Sequence, residues 1–286
     1  MKKYIILFLL LLFMMGCSVK RFAVRQVGEV IKDGMEAVYS EEDLELAKIS
    51  IASNLKLLEV LLVDDPENIT IKMLLTEGYG AYSLAFIEEA SLVRASYFYK
   101  KAMKYAEEVL QEADYFKAGF KLSIPAFEKE VSLIKKDHVD SVFWFAFNWG
   151  RYILLNLDNT QALFDLPKVE ALMKQVMVLD DSFYFSSAHL FFGSLHSARP
   201  VMLGGKPDLS KKHFETCITN TQEKFFLHKY YYAKYYAVRV QDQDLFKKML
   251  SDVINGDLEI LPSFRLMNKI AQVKAKALLA KSSEYF

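Results

Sequence analysis

The stretch His189–Ile218, HLFFGSLHSARPVMLGGKPDLSKKHFETCI, decides the fold. Pro200, Gly204, Gly205, Lys206 and Pro207 separate two partly apolar runs, so the segment is either a phosphate-gripping loop or the joint between two helices. A P-loop needs G-x-x-x-x-G-K-[ST] after a strand. Here Pro200 stands five residues before Gly205, Pro207 follows Lys206, and both flanks read as helix. Two glycines free the backbone for a sharp reversal, and Pro207 with Asp208 starts the next helix. The stretch reads as a helical hairpin.

Its two arms define a pattern that recurs along the chain. Phe192-Gly193 with His196 on the first arm is followed by Ser210, Phe214 and Cys217 on the second. Positions i, i+4 and i+7 share one helix face, and alternating large and small residues there let two helices approach closely. Trp149-Gly150 with Ile153, followed by Val169, Met173 and Val176, repeats the arrangement. So does the helix bearing Leu75 and Tyr79, followed by Ala95, Tyr99 and Ala102. The intervals are longer and less regular than the period of about 34 of a tetratricopeptide repeat, with an extra segment holding Pro125 and a helix from Ala126 to about Lys136. Leu179-Asp180-Asp181 echoes Val63-Asp64-Asp65-Pro66 as an acidic helix end.

The remaining segments fit the same scheme. Lys20–Tyr39 reads as a helix, Ser40 with Glu41 and Glu42 as the capped start of a second one through Leu44–Val63, and Asp64-Asp65-Pro66 as its stop. Lys224–Val240 and Gln243–Ile254 form a further pair, and Pro262 opens a terminal helix, Ser263–Lys281, that caps the stack. Two-residue alternation between hairpin turns is lacking, which argues against strands. The expected fold is all-α, an irregular TPR-like helical-hairpin array or α-solenoid.

The N-terminus carries its own signal. Met1-Lys2-Lys3-Tyr4, the apolar run Ile5–Met15 and Gly16-Cys17-Ser18 read as a secretory signal peptide over residues 1–16, too short for a comfortable bilayer span. Residues 17–286 then form a single helical repeat domain. Met14-Met15-Gly16-Cys17 resembles the lipobox of bacterial lipoproteins, in which the cysteine receives the lipid, so Cys17 is the expected lipid attachment site and membrane anchor. Cys217 would be the one remaining thiol, and no internal disulfide is expected. Without Lys2 and Lys3 the net charge of zero falls to about −2. That balance points to neither nucleic acid nor an anionic surface.

Candidate chemistry is sparse. His138, His189, His196, His213 and His228 form no H-E-x-x-H, and no cysteine or carboxylate stands at ligand spacing beside them, so no metal is expected. No G-x-S-x-G elbow is present. Cys217 has no adjacent base, Asp137-His138-Val139-Asp140 reads as a polar helix boundary, and the paired acids read as solvated helix ends. Neither a cofactor nor catalysis is expected. Aromatic residues, 14% of the chain, rise above this background. Phe143–Tyr152 and Phe225–Tyr236 are so rich in rings that some must face a second surface, a cavity, a ligand or a neighbouring subunit. Tyr79, Tyr82, Phe86, Trp149, Tyr152 and His189 are the candidate cavity residues, since they sit on inner repeat helices and most join a large apolar area to a polar tip.

Several ordered blocks carry a resemblance. Asn54–Glu59, Asp65-Pro66-Glu67-Asn68, Gly78-Tyr79, Phe143–Trp149, His189–Leu195, Arg199-Pro200 with Met202–Gly205, and Tyr235–Val238 with Gln241-Asp242 together resemble the T-component of tripartite ATP-independent periplasmic (TRAP) transporters, TatT. Met14, where leucine is usual, departs from the lipobox pattern. The resemblance implies a periplasm-facing lipoprotein that assembles as a homotrimer. Its implied partners are the TRAP solute-binding protein and a small hydrophobic ligand in a pore or cavity. A scaffold lipoprotein for envelope or outer-membrane assembly would use the same concave surface without a ligand.

Overall fold

A computed structural model describes residues 19–112, 121–156, 158–198, 202 and 204–286. Cys17 and the leader lie outside the described residues, as do Arg199, Pro200 and Leu203. The described chain is 82% helical, and no strand occurs in it. Helix α1 covers residues 19–33, and α2 is Met35–Tyr39. There follow α3 (Leu44–Asp64), α4 (Ile69–Tyr82), α5 (Leu92–Glu112), α6 (Ile124–Val131), α7 (Val139–Leu154), α8 (Thr160–Phe164) and α9 (Leu166–Leu179). The series ends with α10 (Phe183–Ala198), α11 (Pro207–Asn220), α12 (Leu227–Tyr231), α13 (Gln243–Ile254) and α14 (Arg265–Ala280). Two π-helical segments, Ser83–Ile87 and Tyr232–Ala237, prolong α4 and α12.

The boundaries follow from side-chain chemistry. Asp43 rather than Ser40 caps α3, its carboxylate accepting the N–H groups of Glu45 and Leu46 at 2.9 and 3.0 Å. Asn68 caps α4 through the N–H of Ile71 at 3.0 Å. The acidic end between them is tied down: Arg25 Nε of α1 donates to Asp65 at 2.8 Å, and Asn68 Nδ2 donates to the same carboxylate at 3.2 Å. The helix expected to reach Lys136 stops at Val131, ahead of a 3-10 turn over Lys136–His138.

The 189–218 segment is the joint of a hairpin. Gly204 takes φ +87°, which favours glycine, Lys206 N–H donates to the His196 carbonyl at 3.1 Å, and Pro207 opens α11. Helices α10 and α11 pack closely because a Cβ at Gly193 would sit 3.0 Å from the Phe214 ring, and Ser210 Oγ donates to the Gly193 carbonyl at 2.7 Å. The other pairs are α4 with α5, α7 with α9, and the α12 unit with α13. All nine triplet residues of α5, α9 and α11 are buried. Phe246, Leu250 and Val253 extend the four-then-three spacing into the last pair and are equally buried.

Three hydrophobic clusters follow one another along the stack, centred on Ile71, Leu75 and Tyr99, then on Phe127, Phe143 and Val169, then on Phe214, Phe246 and Leu250. Phe147 packs against all three. The terminal helix does more than cap the last pair, for α14 also meets α2 and α3. Phe264 stacks on Tyr39 at 4.8 Å, Ser263 donates to Glu36 at 2.7 Å, and Lys274 pairs with Glu89 at 2.6 Å. The array therefore winds back on itself and closes round its inner helices. No described helix is long and apolar enough to cross a membrane.

Candidate functional site

The inner helices face one another across an apolar cavity of about 470 Å³. Each contributes a stripe at helical spacing: Phe143, Phe147, Gly150, Arg151 and Leu154 from α7, and Ser187, Leu190, Phe191, Ser194 and Leu195 from α10. Leu227, Tyr231 and Tyr235 stand four residues apart on the α12 unit, while Ala81 and Leu84 come from α4 and its extension. Gly150 brings the α7 backbone close to its neighbours, since a Cβ there would lie 3.4 Å from both Phe191 and Val169.

One charged side chain stands among the described lining residues, Arg151. Its guanidinium is largely buried and pairs with Glu88, which follows the first π-helical segment. Tyr99 Oη donates to the other Glu88 oxygen at 2.8 Å. Burial alone would raise the Glu88 carboxyl, but Arg151 and the Tyr99 hydroxyl hold it below its ordinary value. Arg151 Nε is buried without a hydrogen-bond partner. Lys234 lies over the rings of Tyr230 and Tyr235, each at 5.7 Å, and burial together with Arg151 pulls its ammonium below the ordinary value. The cavity thus has a long apolar wall and a polar pole where the two π-helical segments meet α7. Extra residues of this kind often occur at functional sites.

A second irregularity shapes the opposite wall. Tyr184, Phe185 and Ser186 at the start of α10 have φ of 41°, 61° and 57°, a left-handed turn that costs roughly 1–2 kcal/mol per residue. That turn directs Tyr184 to the cavity, stacks Phe185 on Phe225 at 4.2 Å, and lets Ser186 accept from Asn220 Nδ2 at 3.0 Å. The Tyr184 hydroxyl is buried and has no partner. Tyr184 also borders a neighbouring pocket lined by Phe264 and Lys224.

None of the six residues expected to face a cavity lines this one. Tyr79 donates to Glu59 at 2.7 Å and stacks on Phe98 at 5.4 Å between α3, α4 and α5. Tyr82 and Phe86 pack together at 5.7 Å, Trp149 meets Phe145 and Phe127, and Tyr152 packs against two of the hydrophobic clusters. His189 turns to α11, sharing a 2.8 Å hydrogen bond with His213 and another of 2.7 Å with Asp181. The six stand on the same helical elements as the lining residues but on other faces: a step of one or two residues along a helix turns a side chain by 100–200°. Arg151 was missed altogether. Its signal was a lone cation within the apolar run Val142–Leu155.

Asp137-His138-Val139-Asp140 lies at a helix boundary, with Asp140 accepting the Ser141 N–H at 2.7 Å. Burial pushes the Cys217 thiol far above its ordinary value. No metal-holding group of three or more His, Cys, Asp or Glu occurs among the described residues.

Paired helices packed round an apolar cavity define an all-α helical array with a hollow of ligand size. Within that class, the family model of the TRAP transporter T-component, TAtT, matches residues 40–286, and the chain belongs to that family. Membership gives it the role of an accessory component of a TRAP transporter in the bacterial envelope. No curated protein matches the chain in sequence.

Proposed function

We propose that the protein is a lipid-anchored, periplasm-facing TRAP subunit that engages the extracytoplasmic solute-binding protein and receives a small hydrophobic ligand in its central cavity. The cavity itself carries this reading. Its volume lies within the roughly 300–1,000 Å³ of small-molecule sites, and its wall is mostly apolar with a few polar side chains among the lining residues. Cys17 supplies the anchor, three copies assemble, and the subunit acts by binding, without covalent chemistry.

Affinity capture of the full-length lipidated chain from envelope membranes tests the partner. Recovery of a TRAP solute-binding protein is the expected result. Recovery of outer-membrane assembly components in its place would replace the transport role with a scaffold role. Mass spectrometry of the N-terminal peptide should show a lipidated Cys17.

A further inference from the structure

Exposed apolar side chains gather at one end of the molecule, far from the chamber's lining. Helix α1 turns Val24 and Gly28 into the fold, while Val19 and Phe22, three residues apart on its outer face, are 63% and 65% exposed. Val30 continues that outer face and is exposed as well. Lys20 pairs with Asp64 at 3.7 Å and Arg25 with Asp65, so the first turns of α1 lie beside the end of α3. At that end Val60 and Val63, again three residues apart, are 65% and 77% exposed. Leu46 and Ile49, the exposed apolar residues nearest the start of α3, stand roughly 20 Å away along the helix. Apolar groups collected in this way on a polar surface mark an interaction site.

The chain outside the described residues indicates what covers them. Cys17 stands two residues before Val19, and two peptide steps reach no further than about 7–8 Å. A lipid on Cys17 would therefore hold the first turn of α1, and the end of α3 beside it, at the membrane surface. Charge agrees with a lipid surface: residues 18–28 carry Lys20, Arg21 and Arg25 and no carboxylate. Lys20 and Arg21 are exposed next to Phe22, where their stems can lie on apolar surface while their charged ends meet lipid phosphates. A second copy of the chain fits less well, because four apolar side chains supply far less than the roughly 800 Å² per partner that a stable protein interface buries.

We propose that Val19, Phe22, Val60 and Val63 form a bilayer-docking patch that seats this end of the molecule in the headgroup–acyl boundary of the membrane holding the Cys17 lipid. This inference rests on the reading that Cys17 is lipidated and adds which face of the fold meets the bilayer. The side chains enter the boundary to about 5–10 Å, the depth of an interfacial helix. A lipid on a short tether and an inserted patch beside it together fix how the domain stands on the membrane, which a tether alone does not.

The test uses the full-length lipidated chain in phosphatidylcholine vesicles, carrying Phe22→Cys, Val63→Cys or, as a reference, Val178→Cys. Val178 is 76% exposed on α9, which packs on α6, α7 and α10. Each variant is labelled with a nitrobenzoxadiazole fluorophore; Cys217 is fully buried and the lipid blocks Cys17, so the label goes to the introduced thiol. Phosphatidylcholine bearing a nitroxide near the top of its acyl chain should quench the label at Phe22→Cys and Val63→Cys about twofold or more beyond Val178→Cys, and iodide in the water should quench them less. Equal lipid quenching at all three, in a chain that floats with the vesicles and shows a lipidated Cys17 by mass spectrometry, would overturn the patch and leave the anchor standing. Shielding of both patch positions from lipid and iodide alike would place a neighbouring copy there and overturn it too. Labelling of the unsubstituted chain at Cys17, or a chain that stays off the vesicles, would defeat the anchor reading and the patch together.

Discussion

The seams between paired helices and the wall of the chamber draw on the same stock of aromatic and aliphatic residues, yet they follow different rules. At a seam, a large side chain on one helix meets a small residue on the other, as Phe214 of α11 meets Gly193 of α10 and Leu55 of α3 meets Gly78 of α4. Every atom there has neighbours on all sides. Along the chamber, Phe147, Leu154 and Phe191 are packed on one side and face empty volume on the other. The contrast separates residues that hold the fold from residues free to serve a guest.

The largest expected effect lies at the seam. Phe214→Ala should destabilise the protein by about 3–5 kcal/mol in urea unfolding, because it removes a fully buried ring and leaves a cavity between α10 and α11. A loss no greater than that of a wall residue would erase the distinction. Gly193→Ala attacks the same contact from the other side, placing a methyl 3.0 Å from the Phe214 ring, and should cost ~1–3 kcal/mol. Phe214→Leu combined with it should recover part of that loss, since residues in direct contact do not act additively.

A third prediction sharpens the comparison through charge. Glu59 joins α3 to α4 and α5: burial would raise its carboxyl, but Lys101, Lys56 and the Tyr79 hydroxyl outweigh that and hold it at about 2, against an ordinary value of 4.5. A carboxyl whose native value is depressed stabilises the fold above its unfolded value, and the contribution fades as pH falls through the native one. The stability gap between wild type and Glu59→Gln, about 1–2 kcal/mol after solvent screening, should therefore be full above pH 4.5 and shrink toward pH 2. A gap that is constant over this window would assign Glu59 a packing role instead.

The smallest effect is expected at the wall. Leu154→Ala should cost about 1 kcal/mol or less, since the side chain is half-buried and its removal enlarges a space that already exists. A loss comparable to that at Phe214 would show that the wall supports the fold.

The same contrast explains what could be read from the sequence. The seams were legible because small and large residues alternate at fixed spacing in three separate pairs, and Gly204 with Pro207 marked a reversal whose backbone demands are specific. The chamber was not. Phe147 and Trp149 belong to one aromatic run, but Phe147 borders three hydrophobic clusters and the chamber while Trp149 packs on Phe127 and Phe145. Composition does not record which face of a helix meets a void. Two further features escaped local reading. The π-helical segments, which set where Glu88 and Tyr235 lie relative to α7, and the left-handed turn at Tyr184–Ser186 arise from tertiary packing, without glycine or proline to announce them. Ring closure by α14 depends on the summed curvature of all the pairs, which no single repeat encodes.

Native mass spectrometry of the full-length protein, released gently from its membrane, tests the central claim that the closed helical array encloses a ligand chamber. The wild type should retain a small apolar molecule at one per chain, and Ser194→Phe, which places a ring in the chamber from α10, should lose it while keeping its helical content. An adduct that survives that substitution, or a wild type that carries none even after incubation with decanoate, would contradict it.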